Sequence, residues 1–188
     1  IIKELHNYAK DNNTAVALLV RKNSFIKTKK EYFQNKSGHK NYLSRENVIK
    51  IINENVPKKI PKISTTGMTS RELYEINVNE DNIESTFMCV GGMGHSLAIA
   101  TGIANFKKNK KIICVDGDGS LLMHSGIMAI SAKSKNLIHI LLNNGVHDSV
   151  GGQRTPSENI EFYKLAREFG YHYAFKASSK KEIISKYF

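Results

Sequence analysis

Cysteine is scarce in this chain. Cys89 and Cys114 are its only two, each inside an apolar, strand-like run and without the clustered partners of a zinc site. That excludes a disulfide framework and leaves both expected as buried free thiols. Long hydrophobic runs are lacking too. No stretch approaches the roughly 20 apolar residues that span a bilayer, and no charged-then-apolar leader precedes a cleavage site, so a cytoplasmic protein without a membrane partner is expected. Acidic residues are outnumbered by basic ones, 17 against 28, for a formal net charge of +11. An excess of this size invites a nucleic-acid reading, but its distribution argues against one. Lys22, Lys27, Lys29, Lys30, Lys36 and Lys40 crowd into one polar stretch, and the lysines from Lys107 to Lys111 fall between a helix and a strand. Both read as solvated loop charge, so no nucleic-acid partner is expected.

What is present is enough for one sizeable domain, or a domain plus a fragment: 188 residues, 40% of them hydrophobic. Ile1, Ile2, Leu5, Tyr8 and Ala9 recur on one helical face, Asp11-Asn12-Asn13 breaks that helix, and Thr14 to Val20 reads as a buried strand. Residues 1–21 are therefore expected to be the tail of a preceding domain, with a piece missing upstream. Residues 22–43 lack apolar periodicity and read as a linker, with Phe25, Tyr32 and Phe33 as anchors.

From residue 44 the pattern alternates. Ser44 caps a helix to Asn55 with Val48, Ile49, Ile51 and Ile52 turned inward, and Pro57 ends it. Ile60 to Ser64 suits a strand only with Pro61 at its start or on an unpaired side. Thr69-Ser70-Arg71-Glu72 has capping-box spacing at the opening of the next helix. Strands follow at Thr86 to Val90, Ile112 to Val115, Leu137 to Leu142 and Tyr171 to Phe175. Helices fall at His95 to Phe106, Leu121 to Ala132 and Asn159 to Phe169, and a last one is capped from Ser179. This alternation predicts an α/β domain over 44–188: a doubly wound, mostly parallel sheet with helices on both faces in three α/β/α layers. The domain is expected to continue past the end of the chain with a further strand.

The stretch that organises this domain is Val115-Asp116-Gly117-Asp118-Gly119-Ser120, answered one helix later by Asn143-Asn144. A βαβ unit brings Asp118 and Asn144 to the same carboxyl-end edge of the sheet, where open α/β sheets bind ligands. Asp118 offers an anionic oxygen, Asn144 an amide oxygen and the turn beyond it backbone carbonyls, a hard donor set that suits Mg²⁺. Gly117 and Gly119 allow close backbone approach, and the amides at Ser120 and Leu121 open a helix toward an anion. The chemistry is that of a magnesium-bridged diphosphate. An EF-hand fails, because its sixth position would be Leu121 instead of glycine and its twelfth Ile127 instead of glutamate. The dinucleotide fingerprint at Gly92 to Leu97 fails where its third glycine would be Leu97. A noncatalytic Rossmann-like nucleotide-binding module remains an alternative.

Gly117-Asp118-Gly119 with Asn143-Asn144 resembles the metal and diphosphate signature of thiamine-diphosphate enzymes. Three blocks extend the match: Ser64 to Leu73, Gly91-Gly92-Met93-Gly94-His95, and Leu142 to Gln153. From about Ser44 onward they resemble the phosphonopyruvate decarboxylase family, with sulfopyruvate decarboxylase as a near relative. The resemblance implies thiamine diphosphate and Mg²⁺ as cofactors, with Asp118, Asn144 and the Val146 carbonyl as metal ligands. Gly119 and Ser120 would meet the diphosphate. Gly91 would accept from the cofactor's amino group through its carbonyl, Met93 would sit beneath the cofactor, Gly92 would belong to the same cofactor-binding turn, Thr66 and Gly67 would line the site, and Thr69 is a weaker candidate.

The implied reaction is decarboxylation of a small 2-oxo acid, 3-phosphonopyruvate, to phosphonoacetaldehyde and CO₂ in phosphonate (2-aminoethylphosphonate) biosynthesis, with sulfopyruvate as the other substrate. The carboxylate that activates the aminopyrimidine lies, in this family, on a pyrimidine-binding domain, and no motif for it stands in this sequence. The resemblance thus makes residues 1–21 the tail of that domain and 44–188 the diphosphate-binding domain. It implies a half-site completed by a partner, commonly another subunit of a homo-oligomer, and little activity alone. No catalytic residue is assigned in this chain. Of His95, His124 and His147, His147 is the candidate to touch substrate, and Gln153 and Arg154 share its loop. His147-Asp148-Ser149 is no hydrolase triad, since neighbours in sequence do not converge as one.

Overall fold

A computed structural model describes residues 1–26, 42–79 and 83–187. Two compact units, Ile1–Glu31 and Tyr32–Phe188, divide the chain. The first holds helix α1 (Ile2–Asp11) and no strand among its described residues. Residues 14–20, expected as a buried strand, belong to no ladder and are exposed, Leu19 at 92%. Their apolar composition is right for a strand, but among the described residues no strand pairs with them, and the Thr14 amide turns back to the Ala9 carbonyl at 3.0 Å. The expected linker falls largely on residues 27–41, outside the described residues, as do its anchors Tyr32 and Phe33; Phe25 is exposed.

The second unit is built on a parallel sheet of β1 (Lys62–Ser64), β2 (Thr86–Met88), β3 (Ile112–Gly117) and β4 (Leu137–Leu142), in the order β2-β1-β3-β4. Pro61 precedes β1, and its carbonyl accepts from the Ile113 amide at 2.9 Å, so it costs the ladder no donor. Alternation along β3 explains the layers. Ile113 and Val115 pack with Ile52 and Val56 on one face, while Ile112 and Cys114 pack with Leu97, Ala100 and Ala104 on the other. The first set comes from α2 (Arg45–Asn55), which also contacts α3 (Met68–Asn79). The second comes from α4 (Ser96–Phe106), whose small residues let it lie close to the sheet. The result is the expected three-layer α/β fold. Cys89 and Cys114 are free and buried. No helix among the described residues is long and apolar enough to cross a membrane.

Several local expectations need correcting. The single helix from Leu121 to Ala132 is instead α5 (Asp118–Met123), a 3-10 turn at Ser125–Ile127, and α6 (Met128–Ser131). The break is His124, whose φ of −138° and ψ of 42° are not helical. The helix placed at Asn159 to Phe169 begins only at Phe162, as α7 (Phe162–Glu168), because Pro156–Asn159 form a separate 3-10 turn. Tyr171 to Phe175 forms no strand. The capping box at Thr69 to Glu72 does not form. The helix already starts at Met68, and Glu72 is drawn away by Arg45. Two further short strands, β5 (Val146–His147) and β6 (Gln153–Arg154), make an antiparallel hairpin beyond β4, and α8 (Lys180–Tyr187) closes the chain. Ser44 and Ser179 cap α2 and α8 as expected, accepting from the Asn47 and Glu182 amides.

Candidate functional site

Register decides which residues meet. Gly117 pairs with Leu142 at the ends of β3 and β4, so Asp118 and Asn143-Asn144 leave the sheet at one edge. Ser64 pairs with Val115 and with Met88, which delivers Thr65-Thr66 and the Gly91 to Gly94 turn to that edge as well. A cavity of about 680 Å³ opens there, lined among others by Thr66, Met93, Asp118, Asn144, Val146 and His147.

Asp118 opens α5 and is buried, at 2% exposure. One of its carboxylate oxygens accepts from the Thr155 hydroxyl, leaving the other for the cavity. Ser157 Oγ stands 2.8 Å from Thr155 Oγ1 and 3.0 Å from Asn143 Oδ1, and its single proton serves one of these two acceptors at a time. The loop beyond Asn144 therefore closes back onto the aspartate. Ser120 ties the other two turns together, its oxygen accepting from the Thr65 hydroxyl at 2.7 Å and from the Gly94 amide at 3.0 Å. The Ser120 hydroxyl is thus a structural tie between the two turns.

Gly119 has a steric reason to be glycine. A Cβ there would stand 2.6 Å from the His147 ring and 3.2 Å from Thr155, so the imidazole covers the backbone of the turn at closest approach. Asn144 is oriented from both ends. Its Oδ1 accepts from the Val146 amide at 3.2 Å and its Nδ2 donates to Asp148 at 3.1 Å.

Behind the turn, Asp116 is fully buried and caps the Gly117 amide at 2.8 Å. Its second oxygen faces His139 Nε2 at 3.8 Å, an electrostatic contact too long for a hydrogen bond. Burial alone would push the Asp116 carboxyl up, but His139, with Ser120 and the Gly117 amide, holds it below its ordinary value. Cys114 stands beside this pair, and burial pushes its thiol well up. An inert thiol results.

Thr66, Met93, Gly119, Ser120 and Asn144 all border the cavity. Gly67 stands at its margin, where an added Cβ would meet the Ser149 hydroxyl at 2.9 Å with φ at +91°. Gly91 and Gly92 lie on the turn behind Met93; the Gly91 amide donates to Thr66 Oγ1 at 3.4 Å, and the Gly92 carbonyl accepts from Cys89 Sγ at 3.1 Å. Thr69 is buried at the start of α3. His95 and His124 are exposed and pack against each other at a 55° tilt, ring centroids 4.6 Å apart, outside the cavity lining. Arg154 pairs with Glu158 at 3.4 Å.

Sequence reasoning missed Thr65, Thr155, Ser157 and Arg45. The hydroxyl residues flank glycine- or proline-marked turns, but nothing in their spacing says which carboxylate they meet. Arg45 is 103 positions from Asp148, to which it donates.

Comparison with known proteins identifies a family and several relatives. The family described as "Thiamine pyrophosphate enzyme, C-terminal TPP binding domain" matches residues 62–187. A phosphonopyruvate decarboxylase of Streptomyces hygroscopicus is 38% identical over 132 residues, 69% of this chain and 32% of that protein. One from Streptomyces viridochromogenes is also 38% identical, over 130 residues, 68% of this chain and 32% of that protein. A sulfopyruvate decarboxylase subunit beta of Methanococcus maripaludis is 35% identical over 130 residues, 68% of this chain and 67% of that protein. The chain thus spans about a third of the phosphonopyruvate decarboxylases it matches.

Proposed function

The chain belongs to the thiamine pyrophosphate enzymes, as their C-terminal TPP-binding domain, and we propose that it supplies the diphosphate and metal half of a decarboxylase for an anionic 2-oxo acid. The observation that carries this reading is the register of Gly117 against Leu142, which sends Asp118 and Asn144 off one sheet edge into one cavity. The free oxygen of Asp118, Oδ1 of Asn144 and the Val146 carbonyl would hold Mg²⁺, an all-oxygen set of the right hardness. The Gly119 and Ser120 amides would meet the diphosphate, and Thr66, Gly67, Gly91, Gly92 and Met93 would line the rest of the cofactor site. When bound, thiamine diphosphate supplies an electron sink for the carbanion left as CO₂ departs.

The work of this chain is to bind and orient. Thr155 fixes the Asp118 carboxylate, Ser120 fixes the turn, and His147 shields the backbone of Gly119 while facing the cavity, which makes it the candidate to touch substrate. The carboxylate that activates the aminopyrimidine would come from a pyrimidine-binding domain, contributed by a partner subunit in a homo-oligomer. Our substrate assignment is 3-phosphonopyruvate, converted to phosphonoacetaldehyde and CO₂ in phosphonate biosynthesis. It is supported by the His147-to-Gln153 stretch and by the 38% identity to two phosphonopyruvate decarboxylases. Sulfopyruvate is the second reading, favoured by the 35% identity to a subunit of comparable extent.

Assaying both 2-oxo acids with the assembled enzyme tests the choice. Preferred turnover of phosphonopyruvate is expected, and equal or preferred turnover of sulfopyruvate would overturn it. Titration with thiamine diphosphate plus Mg²⁺ against NAD and ATP tests the class. Binding of a nucleotide with indifference to thiamine diphosphate would leave a nucleotide-binding module instead.

A further inference from the structure

An asparagine that ligates a metal must present its oxygen, yet the two ends of a carboxamide are nearly the same shape and only their hydrogen bonds tell them apart. At Asn144 the nitrogen end donates to Asp148 Oδ2 at 3.1 Å. Asp148 sits on a 3-10 turn with its side chain 45% exposed, so something else must hold it. The same Oδ2 accepts from Arg45 Nη1 at 3.1 Å. Arg45 is fixed in its turn by Glu72 on α3, which takes its Nε at 2.9 Å and its Nη2 at 2.7 Å in a two-point fork. Arg45 and Glu72 are only 19% and 20% exposed. The guanidinium is thus committed to two carboxylates and is not disposed to bind a substrate anion.

We propose that Glu72, Arg45 and Asp148 form a relay that fixes which end of Asn144 faces the metal, making Arg45 a positioning residue for Mg²⁺. This rests on the reading of Asn144 as a metal ligand. The relay reaches from α2 and α3, on one face of the sheet, to the loop that follows β4. It couples the packing of two helices to the orientation of one amide. Without Arg45, Asp148 loses its anchor, and of the two hydrogen bonds that orient the Asn144 amide only the one from the Val146 N–H still opposes the flip that turns the nitrogen toward the cation.

The test is the Mg²⁺ dependence of thiamine diphosphate binding in the assembled enzyme, followed by calorimetry, together with KM for Mg²⁺ and kcat at saturating Mg²⁺. Arg45→Gln and Asp148→Ala are each expected to raise the Mg²⁺ requirement about tenfold or more, as loss of an outer-shell partner does. kcat at saturation should be largely kept. The double variant should be no worse than the weaker single one, because the residues act in series. Arg45→Lys, which keeps charge but not the fork, should fall between, and Lys50→Gln on the same helix should match the wild type. Unchanged Mg²⁺ affinity in both single variants, or additive losses in the double, would overturn the relay. Should Arg45→Gln fail to fold, Asp148→Ala, on its exposed turn, decides the question by itself: unchanged Mg²⁺ affinity there would overturn the relay. Absence of Mg²⁺-dependent binding in the wild type would overturn the metal reading and this inference with it.

Discussion

Ile112–Val115 and residues 14–20 are both short apolar runs, and the structure treats them oppositely. Val115 is fully buried and Leu19 is 92% exposed. β3 lies between β1 and β4, with a backbone partner on each side, while residues 14–20 join no ladder among the described residues. The lesson is that an apolar run states only that burial would be favourable; a strand exists where neighbouring backbone satisfies its amides and carbonyls. Function follows the same divide. The run with two neighbours ends in a turn tied by Thr65, Gly94 and Thr155, and that turn lines the cavity of the proposed site.

The two runs should respond differently to truncation. Ile113→Ala removes packing against Ile52 and Val56 and is expected to cost about 2–5 kcal/mol in denaturant unfolding; a loss within experimental error would mean that the two-sided burial of β3 is not what holds the domain. Gly119→Ala pushes a methyl group into the His147 ring, at a cost of about 1–3 kcal/mol from overpacking, and should also weaken Mg²⁺-dependent cofactor binding. Equal binding would separate His147 from the turn.

The buried Asp116 should give β3 an acid sensitivity that residues 14–20 lack. Its carboxyl is held below the ordinary value in the folded chain, so it contributes stability above the unfolded value. That stability is lost as pH falls through the folded one. Acid titration of unfolding should be steeper in the wild type than in Asp116→Asn, and identical slopes would remove the His139 contact from the account. Leu18→Ala, at an exposed position, should change stability by less than about 0.5 kcal/mol. A core-sized loss would show that this run is packed in the assembled protein.

Much of the fold was legible because β3 and β4 are apolar runs stopped by glycine or by the asparagine pair, and their parallel register follows from the βαβ order. The same signal misled at residues 14–20 and at Tyr171 to Phe175, where composition could not reveal that pairing was absent. The helix break at His124 was hidden, since the apolar periodicity of Leu121 to Ala132 runs straight through it and a non-helical backbone angle leaves no mark in hydropathy. At the site, residues whose chemistry is carried by type and turn position, Asp118, Gly119 and Asn144, stood out. Those that orient them, Thr155, Ser157 and Arg45, did not. A hydroxyl or guanidinium finds its partner through tertiary approach, and the Arg45–Asp148 contact spans 103 positions.

If the edge defined by Asp118 and Asn144 holds thiamine diphosphate through Mg²⁺, binding depends on both the cation and the carboxylate. Calorimetric binding of thiamine diphosphate to the assembled protein, with and without Mg²⁺, for the wild type and Asp118→Ala, tests it most directly. Mg²⁺-dependent binding is expected, abolished in Asp118→Ala while thermal unfolding shows the variant still folded. Binding that is indifferent to Mg²⁺, or that survives the substitution unchanged, would contradict it.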